Sequence, residues 1–224
     1  MISKLLSGAV KLYLRSQVDR VEDLKVEIGG RNKEILHGYI PQIFLSCGRA
    51  VYQGLHLSQV KLDGTNIAVN LPEVIKKKPL KLIEPIFVEI QLKLDAADLQ
   101  ASLNSDLLQS GLSDLWQMIL AAQPLELANS KVEWQKIAIA EQKLNLIGIY
   151  QNNLQEMKKL ALSTGIDLAN AHTLCLSPLH IAGDSFNSID NQLEIDLGKD
   201  VAIKELAIKS SRIICIGKVK VNNE

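Results

Sequence analysis

After Pro85 the chain alternates without a break: Ile86, Val88, Ile90, Leu92 and Leu94 fall on one side, Phe87, Glu89, Gln91 and Lys93 on the other. A period of two places successive side chains on opposite faces of a strand. One apolar and one wetted face fits an antiparallel sheet, whereas a doubly wound parallel sheet is apolar on both. The same period runs through Leu24-Val26-Ile28, Leu55-Leu57, Val60-Leu62 and Ile67-Val69-Leu71. In the second half it recurs in Ile137-Ile139, Leu144-Leu146, Leu160-Leu162, Ile166-Leu168, Leu174-Leu176, Leu193-Ile195-Leu197, Val201-Ile203 and Val219-Val221.

Interruptions of this pattern predict where the chain turns. Gly29-Gly30 ends the first strand, and a change of parity near Ser58-Gln59 predicts a bulge or bend. Asp63-Gly64 carries a turn signal, Glu141-Gln142 a hairpin, and Asp184 to Asn191 reads as a polar loop. Pro72 and Pro79 bracket a short segment that ends in Lys76-Lys77-Lys78.

Two regions have helical spacing instead. At the N-terminus Ile2, Leu5, Leu6, Ala9, Leu12 and Tyr13 recur at intervals of three and four, with Lys4, Lys11 and Arg15 on another side. This predicts an amphipathic helix over about residues 1–18. From Asp95, a suitable N-cap, to Ala122 the stripes Leu99-Leu103 and Leu112-Leu115-Trp116-Ile119 predict helix, with Gly111 dividing it in two. Strand blocks on either side of a central helical segment, without a linker or repeat, give one α+β domain over residues 1–224.

Hydrophobic residues make up 47% of the chain but aromatics only 4%, so the apolar surface is almost wholly aliphatic. That suits a dry core, and equally a face for acyl chains. Lys+Arg 25 against Asp+Glu 25 leaves no net charge, which removes the footprint of a general nucleic-acid binder. Cys47, Cys175 and Cys215 are distant and odd in number, so they read as small buried hydrophobes in a reducing compartment. No stretch is apolar for the length of a bilayer crossing, and the first residues lack a continuous signal-peptide core. The expected location is cytoplasmic or peripheral to a membrane.

Catalytic signals are missing from the sequence. His37, His56, His172 and His180 are scattered, and His172 with Cys175 is a weak zinc pair beside an ordinary strand end. There is no G-x-S-x-G, phosphate loop or dinucleotide fingerprint. Asp95 with Asp98 suits helix capping, and Glu194 with Asp196 a wetted strand face. The reading is a non-enzyme with no catalytic residue, metal or cofactor.

What remains is an aliphatic face and a set of cations. Ile86, Val88, Ile90, Leu92 and Leu94, joined by Ile137, Ile139, Leu144 and Leu146, are the candidate acyl-binding residues; a dry core is the other reading of the same positions. Lys76, Lys77, Lys78 and Lys81 suit anionic headgroups, each worth roughly 1 kcal/mol near a charged membrane, or else a solvated loop. Ile2, Lys4, Leu5, Leu6, Lys11 and Arg15 are candidate membrane contacts, if the N-terminal helix lies in the interface rather than packing its stripe on the sheet.

Several segments resemble the bacterial LmeA-like phospholipid-binding proteins. They are Gly30-Arg31-Asn32 with Ile35-Leu36-His37-Gly38-Tyr39-Ile40-Pro41, Ala50-Val51-Tyr52-Gln53-Gly54-Leu55-His56-Leu57-Ser58, Lys78-Pro79-Leu80-Lys81-Leu82-Ile83-Glu84-Pro85, and Asp98-Leu99-Gln100-Ala101-Ser102-Leu103. The likeness extends over most of the chain and is strongest in its first half; Asp196 through Val221 is compatible but less distinctive. It implies an α+β fold in which a long, strongly curved antiparallel sheet wraps around central helices, similar to tubular lipid-binding domains. It also implies phospholipid as partner and a role in membrane lipid homeostasis. Some relatives carry an N-terminal export or anchor segment, which is not evident here. The alternative functions are a membrane-associated scaffold with a dry core and, behind it, an enzyme acting on lipid.

Overall fold

A computed structural model describes residues 2–122, 131–140, 142–152, 154–184, 186–209 and 211–223, without the side chains of 2–5 and 186–190. The chain runs α1 (Ile2–Gln17), β1 (Arg20–Val21), β2 (Lys25–Gly29), α2 (Asn32–Leu36), β3 (Tyr39–Cys47), β4 (Ala50–Tyr52), β5 (Leu55–Leu57), β6 (Gln59–Ala68) and α3 (Leu71–Ile75). It continues with β7 (Ile86–Asp95), α4 (Ala96–Ala101), α5 (Asp106–Ala122), β8 (Val132–Ala140), β9 (Lys143–Gln151) and β10 (Met157–Asn170). β11 (Thr173–Gly183), β12 (Phe186–Asp196), β13 (Val201–Lys209) and β14 (Arg212–Val221) complete it.

The expected single curved sheet wrapped around a helix is not what forms. There are three separate antiparallel sheets, none closed or strongly curled: β1-β4-β5, a six-stranded sheet β13-β14-β7-β6-β3-β2, and a five-stranded sheet β12-β11-β10-β9-β8. The reason lies in the connections. Short turns pair each of β8 to β12 with its neighbour in sequence, so these strands close on themselves as a meander. β9 pairs only residues 157–164 of β10, and no ladder joins the remaining edge, residues 165–170, to β13. The two large sheets therefore meet through side chains and a few bonds at the β10–β11 turn, such as Ile203 N–H to the Ala171 carbonyl at 2.7 Å.

Three local expectations also change. Asp63-Gly64 is no turn: both lie mid-strand, with β3 on one side and β7 on the other. The left-handed residue is Asn66 (φ 55°), two positions later. Gly111 sits inside α5 at an exposed position where an added Cβ would touch nothing, so the helix passes through it. The break falls at Ser102–Ser105 instead. The Ser102 hydroxyl donates to the Asp98 carbonyl and accepts from His56 N–H, and the Ser105 hydroxyl accepts from Leu108 N–H at the start of α5. Most of Asp184 to Asn191 belongs to β12 rather than to a loop.

The parity change at Ser58-Gln59 marks where the chain leaves the three-stranded sheet for the six-stranded one. Ser58 ties that step down, donating to Asp98 Oδ2 at 2.5 Å and accepting from Asp95 N–H at 2.7 Å.

Two packed cores result. In the first, Leu112, Trp116 and Ile119 of α5 press on Trp134, Ile137, Ile139, Leu146, Leu160, Leu162 and Ile181. Trp116 and Trp134 meet edge to face, with centroids 6.4 Å apart. In the second, Leu6 and Val10 of α1 cover Val26 and Leu45 of the six-stranded sheet, with Ile35, Ile40, Ile67, Val69 and Leu71 around them.

Candidate functional site

Between the two cores lies the middle of the six-stranded sheet, and its register assembles one aliphatic face there. Leu92 pairs with Val60 on one side and Cys215 on the other; Ile90 pairs with Leu62 and Gly217, and Val88 with Gly64 and Val219. Cys215 pairs in turn with Leu206 of β13. Directly paired residues share a face, so Val88, Ile90, Leu92, Cys215, Val219 and Leu206 form a single surface. All six are half-buried, and none belongs to either core among the described residues. The face is anchored at both ends: Ile86 packs against the α1 core, and Leu94 with Ile213 against the α5 core. Its reverse side is wetted, carrying exposed Glu89, Gln91 and Lys218. Burial pushes the Cys215 thiol pKa above its ordinary value, as an apolar setting should. Along the β13 edge the face opens on a groove of about 580 Å³ lined by Ile166, Asp167, Leu206, Ile208 and Lys209.

The other expected acyl residues are elsewhere. Ile137, Ile139 and Leu146 are buried and Leu144 packs beside them, all under α5 in the five-stranded sheet. A cavity of about 10 Å³ between α5 and β11–β12 is no larger than one water. The two halves of the expected acyl face thus lie in different sheets, one half-buried and one within the α5 core.

A second feature gathers the expected cations. α3 ends with Lys77 N–H bonded to the Val74 carbonyl and Lys78 N–H to the Glu73 carbonyl, which is a Schellman cap. Its left-handed position, usually glycine, is Lys77 at φ 65°. Asn70 clamps the loop that follows: its side chain donates to the Pro79 carbonyl and accepts from Lys81 N–H at 2.7 Å. Lys76, Lys77, Lys78 and Lys81 are exposed. Lys78 is 3.6 Å from Glu73. The Asn70 hydrogen bond, and after it the Lys78 charge, hold the Glu73 carboxyl below the usual range. Lys77 and Lys78 border a groove of about 510 Å³ whose other walls are Ala9, Leu12, Tyr13 and Ser16 of α1, with Val74, Pro79 and Leu80.

Of the expected membrane contacts, Leu6 is fully buried on the sheet, Lys11 is half-buried and Arg15 exposed. The side chains of Ile2, Lys4 and Leu5 lie outside the described residues. α1 packs the line Leu6-Val10-Leu14 inward, which turns Leu12 and Tyr13 out to the groove.

A family model for LmeA-like phospholipid-binding proteins matches residues 1–218. The chain belongs to that family. Membership ties it to lipid association in general. No curated protein and no solved structure matches it.

His172, Cys175 and Asp95 of this LmeA-like chain lie apart from both features. The His172 ring shares a hydrogen bond with the Val201 carbonyl at 2.6 Å, joining the two large sheets. Cys175 is half-buried in β11, and Asp95 pairs with Arg212 at the mouth of α4. No helix among the described residues is long and apolar enough to cross a membrane. Sequence reasoning missed Leu206, Cys215 and Val219 as members of the open face. Val219 alternates with Val221, but Cys215 stands in an unbroken apolar run, and only register puts β14 and β13 beside β7.

Proposed function

We propose that this protein binds phospholipid without acting on it chemically, the acyl chains lying across Val88, Ile90, Leu92, Cys215, Val219 and Leu206. One observation carries the reading: the middle of an aliphatic sheet face, flanked by Ile86, Leu62 and Leu94 packed against the cores, belongs to neither core among the described residues. A half-buried aliphatic surface that neither core fills can take a hydrocarbon partner. Family membership supports this reading. Each methylene withdrawn from water contributes roughly 0.8 kcal/mol, so a tail covering about a dozen gains near 10 kcal/mol before ordering costs. The low aromatic content fits, since flexible chains need contact area rather than stacking.

The test is native mass spectrometry of gently purified protein, together with uptake of a fluorescent phospholipid. Ile90→Asp is expected to weaken uptake by at least about tenfold, a loss of 1.4 kcal/mol or more. Ile147→Asp is the control, since Ile147 is a 43% exposed aliphatic on the five-stranded sheet. Protein that is ligand-free and takes up no phospholipid would overturn the proposal.

A further inference from the structure

We infer that the groove between α1 and α3 docks the protein on an anionic phospholipid bilayer. The inference rests on the lipid reading above but uses a different surface, so the two fail separately. Three observations point to it. The groove is apolar along its length, between Leu12 and Tyr13 on one wall and Val74 and Leu80 on the other. Its rim is cationic: Lys77 and Lys78 border it, and Lys76 and Lys81 flank them in the same loop. Finally, two aliphatic side chains protrude beside these cations, Leu12 at 73% exposed and Ile75 at 55%.

Cations set around exposed aliphatics complement a surface with negative headgroups above hydrocarbon. A water-soluble anion would satisfy the lysines and leave Leu12 and Ile75 in water. An apolar protein partner would cover the aliphatics and give the lysines no partner. Glu73 offsets one cation, and the rest of the cluster keeps a positive excess.

The backbone adds a further argument. Lys77 holds a left-handed conformation that glycine adopts more readily, and it does so at a helix cap where glycine is the usual residue. A lysine held there against local preference sets its ammonium at the groove rim.

The experiment is flotation of the full chain with vesicles of phosphatidylcholine alone and of phosphatidylcholine mixed with phosphatidylserine. Uptake of a monomeric short-chain phospholipid is measured in parallel. The wild type is expected to float with the mixed vesicles, to float poorly with the neutral ones, and to be released by salt. Exchanging both Lys77→Glu and Lys78→Glu should lower binding by at least about fivefold per cation while leaving short-chain uptake unchanged. Leu12→Asp should weaken flotation in the same way. Lys77→Gly gives a readout that a purely structural lysine would not: the unfolding midpoint rises while vesicle binding falls. Equal flotation on both vesicle types, unchanged flotation of the charge-reversed protein, or none at all by the wild type would each overturn the inference. Flotation without short-chain uptake would instead contradict the sheet-face reading.

Discussion

Ile137, Ile139 and Leu146 alternate along β8 and β9 much as Val88, Ile90 and Leu92 alternate along β7, yet the two sets meet different surroundings. The first set lies under α5, sealed by Leu112, Trp116 and Ile119, with both tryptophans of the chain at the contact. The second set is paired to its neighbours across the sheet, anchored at its ends and otherwise left half-buried. A period of two tells which face a side chain takes. It does not tell what covers that face. Cover comes from the helices that follow β7: α4 and α5 fold over the meander and reach only the Leu94, Ile208 and Ile213 end of the sheet they leave.

The largest effect should come from opening the sealed side. Trp116→Ala removes a ring buried against Trp134 and is expected to destabilise by about 3–5 kcal/mol in urea or thermal unfolding. A loss below about 1 kcal/mol would mean that α5 is a loose lid, and the contrast between the two sheets would disappear. The open side should behave in the opposite way. Ile90→Asp is expected to cost clearly less stability than Trp116→Ala while weakening phospholipid uptake, because its side chain is half-buried and outside both cores. Stability loss comparable with that of Trp116→Ala would show that the face is covered after all.

This contrast also marks what the sequence could and could not say. The strand of Ile86 to Leu94, the N-terminal helix and the hairpin that pairs Ala140 with Lys143 are written in local periodicity. So is the step at Ser58. Sheet membership is not, because it depends on pairings between residues far apart in the chain, such as Cys215 with Leu92. Ile137 and Ile90 share a period but not a sheet. Gly111 misled for a related reason: glycine weakens a helix by about 1 kcal/mol relative to alanine, but it breaks one only when something else terminates the backbone bonds. Here Ser102 and Ser105 do so. The lysine cluster was legible as a run of charge. Its meeting with Leu12 and Tyr13 across a groove was not, since α1 and α3 are separated by six strands.

Smaller effects belong to the α3 end. Lys77→Gly is expected to stabilise the protein by up to about 1 kcal/mol, by relieving a left-handed non-glycine residue. No gain would mean that the cap imposes no strain at this position. The smallest effect concerns pH. Glu73 has a lowered carboxyl pKa in the folded chain, so its contribution is complete above the unfolded value, near pH 4.3, and fades as pH falls through the folded one. Glu73→Gln should therefore flatten the acid limb of a melting-temperature profile and leave its neutral region alone. An unchanged acid limb would show that the Asn70 and Lys78 contacts contribute nothing to it.

The open face contains its own reporter. Cys215 pairs with Leu92 in the middle of the proposed acyl surface, whereas Cys175 lies on β11 of the other sheet. Maleimide labelling at mildly alkaline pH, read at each cysteine by peptide mass spectrometry, can be compared with and without bound phospholipid. Protection of Cys215 on lipid binding, with Cys175 labelled at an unchanged rate, is the predicted result. Cys215 labelled equally fast in lipid-loaded and lipid-free protein would contradict the account.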